Sequence, residues 1–100
     1  MTAILRIEHP VGDFEHWREA FDSDPQGREH SGVCSYRIMR GFEDPSYVLI
    51  DLEFKAREPA ETFLASLRQL WSGVDLMHDP QARVVDLIEE LSLVQGPERA

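Results

Sequence analysis

The order in which strand-like and helix-like segments follow one another is the strongest constraint on the fold of this chain. Four segments alternate apolar and polar side chains as a β-strand does, and two carry apolar residues at helical spacing. In chain order these are the strand Ala3 to His9, the helix Asp13 to Phe21, the strands Val33 to Arg40 and Tyr47 to Phe54, the helix Ala60 to Trp71 and the strand Ala82 to Glu89. The order βαββαβ predicts an α+β domain with one antiparallel sheet and both helices on one face.

Local features support the predicted helices. Asp13 is placed to cap the first helix, and Phe14, Trp17 and Phe21 follow at i, i+3 and i+7, so one face of that helix is aromatic. Pro59 suits the first turn of the second helix. Its apolar stripe, which faces the predicted sheet, comprises Ala60, Phe63, Leu64, Leu67, Leu70 and Trp71. We expect Gly73 to end this helix.

The length and charge of the chain exclude several classes of protein. One hundred residues, of which 42% are hydrophobic, predict one domain over residues 1–94, with a frayed end at 95–100. A net charge of -9 argues against nucleic acid or an anionic membrane as a partner. The first ten residues lack the basic segment and long apolar core typical of a signal peptide, so we expect none, and no apolar run is long enough to span a membrane. The single cysteine, Cys34, lies in a strand pattern, where we expect it to be buried and small. We therefore expect a soluble, cytoplasmic protein.

One face of the predicted sheet has no helix to cover it. In the first and third strands this face carries mixed polar and apolar residues, namely Ile4, Arg6, Glu8, Leu49, Asp51 and Glu53. Such a surface suits either solvent or the semi-polar interior of a barrel formed by two subunits. Alternation alone leaves both alternatives open.

Several segments of the chain resemble the dimeric α+β barrel superfamily, which includes antibiotic-biosynthesis monooxygenases and small proteins labelled cyclases. The similarity is in the element order, the Phe14-x-x-Trp17-x-x-x-Phe21 helix, the loop 28–32 and the passage 51–54 ahead of Ala60 and Phe63. The resemblance implies ferredoxin-like subunits that pair through their open sheet faces into a homodimer. It also implies a pocket in each subunit and a C-terminal segment, 91–94, that extends across the partner.

The charged residues of the open face are the first candidates for chemistry. Arg6 and Glu8 are expected near Asp51 and Glu53, because the first and third strands are neighbours in such a sheet, with Arg37 or Ser35 nearby. Carboxylates gathered around arginines can raise the pKa of one carboxyl group and make it a general acid or base. The interpretation we favour is a cross-strand ion-pair network at a dimer interface.

The histidines predict neither a metal site nor a cofactor. They show no H-x-x-x-H or H-E-x-x-H spacing, so we expect no bound metal. His78 follows Trp71 by seven residues, near where small haem-degrading relatives in the superfamily place a Trp and a His. Those relatives also use an asparagine on the first strand, where this chain has Arg6, Ile7 and Glu8. We therefore expect no haem, and no glycine-rich motif suggests a nucleotide.

Aromatic residues are candidates for binding a ligand. Tyr36, Tyr47 and Trp71, together with Arg37, could line a pocket for a small aromatic or polyketide-like molecule, as in the superfamily's cofactor-free monooxygenases. Trp71 also fits the apolar stripe of the second helix, and the chain contains no asparagine, which those monooxygenases use. No motif for a serine or cysteine nucleophile is present.

Two functions from different classes follow from these features. The first is a homodimeric barrel that binds a small organic molecule and, if it is an enzyme, acts as a cofactor-independent monooxygenase or cyclase. The second is a non-catalytic dimeric accessory protein, stress-related or regulatory, whose barrel is packed solid. A cavity lined by aromatic and polar groups favours the first, and a filled interior favours the second.

Overall fold

The computed structural model describes residues 2–23, 27–72 and 80–93. Its elements, in chain order, are β1 (Ala3–Pro10), α1 (Phe14–Asp22), β2 (Ser35–Arg40), β3 (Tyr47–Phe54), α2 (Arg57–Trp71) and β4 (Gln81–Asp86). The predicted order βαββαβ is confirmed. Among these residues, neither helix is long and apolar enough to cross a membrane.

The four strands form one antiparallel sheet in the order β2-β3-β1-β4. In β1 and β3 every second side chain is buried, because successive residues of a strand point to opposite faces. Leu5, Val48 and Phe54 have no exposed surface, and they pack with Ala60 and Phe63 of α2 in the core. The helices therefore cover one face, as the alternation predicts.

Helix α1 is anchored to the sheet by aromatic rings. Asp13 caps its first turn by accepting hydrogen bonds from the backbone amides of Glu15 and His16, at 3.0 and 3.4 Å. Trp17, 4% exposed, stacks on Phe21 with ring centroids 5.3 Å apart. The predicted N-cap and aromatic face are thus both confirmed, because each depends only on local sequence.

Several predicted boundaries differ from the structure. Helix α2 begins at Arg57 rather than Ala60, so Pro59 is its third residue, where no intrahelical amide bond is needed. Strand β4 ends at Asp86 rather than Glu89, because its partner residue is Ala3, the first residue of β1. Beyond it the Leu87 amide still donates to the Thr2 carbonyl, at 3.0 Å.

Strand β2 begins at Ser35, two residues later than predicted, and this changes the surroundings of Cys34. The prediction that Cys34 is a buried strand residue is wrong, because it precedes the strand and is exposed. Its amide still donates to the Glu53 carbonyl at 2.7 Å, but its side chain has no strand neighbour to cover it. The predicted helix end at Gly73 lies outside the described residues.

Candidate functional site

The sheet face opposite the helices, called the open face here, carries the candidate residues for function. Strand register assigns its members, since paired residues on neighbouring strands share a face. They are Ile4, Arg6 and Glu8 on β1, Ser35, Arg37 and Met39 on β2, Tyr47, Leu49, Asp51 and Glu53 on β3, and Gln81, Arg83 and Val85 on β4. The predicted open face of β1 and β3 is confirmed in full.

One row of residues crosses all four strands of the open face. It runs Arg37, Asp51, Arg6, Arg83 from β2 to β4, each residue paired with the next by strand register, and is called the arginine row here. Arg6 donates to Asp51 through two nitrogens, Nε to Oδ1 at 2.8 Å and Nη2 to Oδ2 at 2.7 Å. Arg37 Nη2 adds a third bond to Oδ2 at 2.9 Å. Asp51 is therefore clamped between two guanidinium groups.

This clamp determines what Asp51 can do chemically. The hydrogen bond from Arg6 lowers the pKa of Asp51, and Arg37 acts in the same direction, while burial opposes both. The pKa of Arg6 is raised by the same contact with Asp51. A carboxylate with a lowered pKa and three hydrogen bonds is a weak base, so Asp51 fits the ion-pair alternative and not that of a general base.

Glu8 is tied to a different partner. It lies opposite Leu49, and the Tyr47 hydroxyl donates to its Oε1 at 3.0 Å. That hydrogen bond raises the pKa of Tyr47, so the phenol stays protonated over the ordinary pH range. The open face therefore carries an uncharged phenol, Tyr47, hydrogen-bonded to the Glu8 carboxylate.

A cleft of about 280 Å³ opens on this face beside the arginine row. Its charged walls include Arg6, Arg37 and Glu53, whose Oε1 lies 3.4 Å from the Ser35 hydroxyl. The other lining residues are Ile4, Tyr36, Asp51, Val85, Asp86, Leu87 and Glu90. The cleft thus combines an apolar surface with both cationic and anionic groups.

The remaining predicted ligand-binding residues do not share one surface. Tyr36 borders the cleft, but it is exposed on the other side of the strand from Arg37, and its ring packs edge-on against Phe21 at 5.3 Å. Trp71 is partly buried against the core on the helix side. His78 lies outside the described residues. Strand alternation explains the separation, because neighbours in β2 point to opposite faces.

Two features of the described chain were not predicted from sequence. Arg83 completes the arginine row, which only the pairing of β4 with β1 makes visible. His9 is fully buried on the helix side, with its ring centroid 6.0 Å from that of Trp17. The alternation Ala3, Leu5, Ile7, His9 could have placed that histidine in the core.

No protein-family model matches the chain, and no curated protein matches it by sequence. Solved structures do match. The cofactor-independent oxygenase SnoaB of Streptomyces nogalater superposes with a TM-score of 0.73 and 8% identity, over 90% of this chain and 96% of that one. A monooxygenase from the ActVA-Orf6 gene of Streptomyces coelicolor, solved with nanaomycin D, has a TM-score of 0.62 and 15% identity, over 92% of each chain.

A dimeric ferredoxin-like protein from an uncultured marine organism also matches, with a TM-score of 0.65 and 7% identity, over 93% of each chain. Identities this low demonstrate a shared fold and leave function to be argued from the site. The chain therefore has the ferredoxin-like fold found in antibiotic-biosynthesis monooxygenases and dimeric ferredoxin-like proteins, as the resemblance implied.

Proposed function

We propose that the protein is a homodimeric α+β barrel that binds a small organic molecule at the open face and acts on it without a cofactor, as a monooxygenase or cyclase does. The observation that carries the proposal is the cleft of about 280 Å³ beside Arg6, Arg37 and Glu53. The fold shared with SnoaB and the ActVA-Orf6 monooxygenase supports it.

The charge distribution supports pairing through the open face. The whole chain carries a net charge of -9, so two copies repel each other over most orientations. Among the strand residues of the open face three arginines balance three carboxylates; they are Arg6, Arg37, Arg83, Glu8, Asp51 and Glu53. The strands of the open face therefore offer two copies a surface on which cations can be matched with carboxylates.

Pairing of two such faces would convert the cleft into an enclosed site. The cleft has the volume of a small ligand pocket, and its apolar residues, Ile4, Val85 and Leu87, can contact a flat ring. The side chain of Arg37 is 68% exposed and uses only Nη2 on Asp51. Its other N–H groups are available to a ligand oxygen.

Within the cleft Glu53 is the carboxylate best placed to accept a proton, because Asp51 is held by two arginines. Transfer of a proton from a hydroxylated aromatic ring to Glu53 leaves an anion whose oxygen can accept hydrogen bonds from Arg37. Molecular oxygen would be the oxidant of the monooxygenase: it adds to a ring carbon of this anion, which takes up a proton to give a hydroperoxide, and loss of water then leaves one oxygen atom as a carbonyl of the product.

The test uses 1,8-dihydroxyanthrone as a probe, with binding measured by tryptophan fluorescence and turnover by oxygen uptake. We expect saturable binding, and Glu53→Gln should lower kcat by about 100-fold with a smaller change in KM. Glu61→Gln, which alters an exposed carboxylate paired with Arg57 on α2, is the matched control and should change neither. Equal turnover by Glu53→Gln would contradict the assigned role.

The non-catalytic dimeric module is kept as the second candidate because of the Asp51 clamp. An aspartate 3% exposed and held by two arginines is typical of a structural ion-pair network. If the dimer forms but neither dihydroxyanthrone nor related hydroxyquinones bind, the accessory role is the better description.

A further inference from the structure

The arginine row places two cations side by side. Arg6 and Arg83 are paired residues on β1 and β4, and like charges in that position repel. Asp51 accepts three hydrogen bonds from Arg6 and Arg37. Arg83 is exposed and makes no ion pair with any of the described residues. Among the described residues Arg83 is therefore the one arginine of the row that has no carboxylate partner.

The carboxylates on either side of the row do not provide that counter-charge. Glu8, in the row nearer the β2–β3 hairpin, is held by the Tyr47 hydroxyl. Glu53, in the row on the other side, lies near the Ser35 hydroxyl. Neither forms an ion pair with Arg83 in the part of the chain that the structure describes.

We propose that Arg83 forms an ion pair with Glu8 of a second copy, whose side-chain hydrogen-bond partner is the neutral Tyr47 hydroxyl, and that this pair sets the register of the dimer. The proposal rests on the homodimer of the proposed function and names the contact that would orient it. It makes Arg83 a determinant of self-recognition.

The order of charges across the open face supports this pairing. The arginine row lies between two rows that each contain one glutamate. If two open faces met with their arginine rows in line, arginines would face arginines. If one copy is displaced along the strands by one row relative to the other, arginines lie opposite carboxylates. One row is two residues of a strand, or about 7 Å. Such segregated but balanced charges fix register and orientation at an interface.

The experiment exchanges charges between two variants. We expect Arg83→Glu to raise the Kd of the dimer at least tenfold in sedimentation velocity. The substituted carboxylate of one copy would lie opposite a carboxylate of the other copy, and the two would repel each other. Glu8→Arg and Glu53→Arg are made separately. Mixed with Arg83→Glu, Glu8→Arg should form a heterodimer in preference to either homodimer, detected by native mass spectrometry with one partner isotopically labelled, whereas Glu53→Arg should not.

Controls separate misfolding from lost recognition. Arg57→Glu reverses a charge on the exposed side of α2 and should leave the dimer Kd unchanged. Circular dichroism of Arg83→Gln, which keeps a polar side chain, should match that of the wild type. An unchanged Kd for Arg83→Glu, or no preference for a heterodimer between Arg83→Glu and Glu8→Arg, would overturn the proposal.

A further experiment tests whether Arg83 binds a small carboxylate ligand instead of a second copy of the chain. If benzoate raises the Tm of the wild type but not of Arg83→Gln, and Arg83→Glu dimerises normally, Arg83 binds a free carboxylate and the proposed contact is wrong. Failure of dihydroxyanthrone to bind, with the charge-exchange result intact, would remove the proposed function and leave this inference standing. A monomeric wild type would contradict the proposed Arg83 contact, and the dihydroxyanthrone assay would still test ligand binding on its own.

Discussion

Asp51 shows how strongly one residue's chemistry depends on its neighbours. A carboxylate grouped with arginines in the sequence is compatible with either an acid–base role or an ion pair. The structure gives Asp51 two guanidinium partners and leaves its side chain 4% exposed. Among the described residues the side-chain partner of the Glu53 carboxylate is the Ser35 hydroxyl, at 3.4 Å. The proton acceptor of the cleft is therefore sought at Glu53.

At the residue scale, Arg6→Leu should destabilise the protein by about 2 kcal/mol at pH 7, less than for a fully buried pair because the Arg6 side chain is 40% exposed. The pKa of Asp51 is lowered in the folded state, so its pairing stabilises the fold above the unfolded pKa of about 3.9. This stabilisation is lost as the pH falls through the folded-state pKa.

Urea unfolding of the wild type and of Arg6→Leu, at pH 7 and pH 3 and at one protein concentration, measures the stabilisation that the Arg6–Asp51 pair provides. The difference in the free energy of unfolding between the wild type and Arg6→Leu should be smaller at pH 3 than at pH 7. Arg57→Leu removes an exposed i,i+4 pair with Glu61 and should cost no more than about 0.5 kcal/mol at either pH. A gap that is equally large at both pH values would mean that ionised Asp51 is not its source.

At the scale of elements, helix α1 is held by its cap and by a continuous aromatic contact. Its rings extend from Phe14 through Trp17 to Phe21, which meets Tyr36 of β2. The Arg28 guanidinium lies 3.9 Å from the centroid of Phe21. These contacts join the helix to β2, the strand that carries Arg37, so the position of α1 affects one edge of the open face.

The cap of α1 gives a prediction at this scale. Asp13→Ala should lower the free energy of unfolding by about 1 kcal/mol, because the amides of Glu15 and His16 lose their acceptor. Asp13→Ser keeps an acceptor and should retain most of the stability. Thermal unfolding by circular dichroism compares the three proteins. Equal losses for alanine and serine would show that the hydrogen bonds do not contribute.

At the scale of the whole molecule, charge is unevenly distributed. The strand residues of the open face carry balanced cations and carboxylates, whereas the chain as a whole has a net charge of -9. Exposed apolar side chains continue along the segment after β4, with Ile88, Leu91 and Leu93 each more than 70% exposed. We therefore keep the prediction that this segment extends across a partner subunit; Val94 lies outside the described residues.

The whole-molecule prediction is a homodimer. Light scattering after size exclusion at micromolar concentration should report twice the 11.5 kDa chain mass. Removal of the exposed apolar segment by a stop codon after Glu90 should weaken the dimer, because Leu91 and Leu93 would no longer be buried on association. Replacement of Phe42, an exposed side chain at the β2–β3 turn, by serine is the control and should leave the mass unchanged. A monomer at high protein concentration would exclude the barrel.

The sequence by itself determined the element order, the inward and outward faces of β1 and β3, and the cap at Asp13. Each depends on residues near one another in the chain, through the period of a strand or the first turn of a helix. Only the tertiary structure decided that Arg6 and Arg37 share Asp51, that Arg83 stands beside Arg6, and that Cys34 is exposed. These depend on register and on where β2 begins, which are set by pairing between strands distant in sequence.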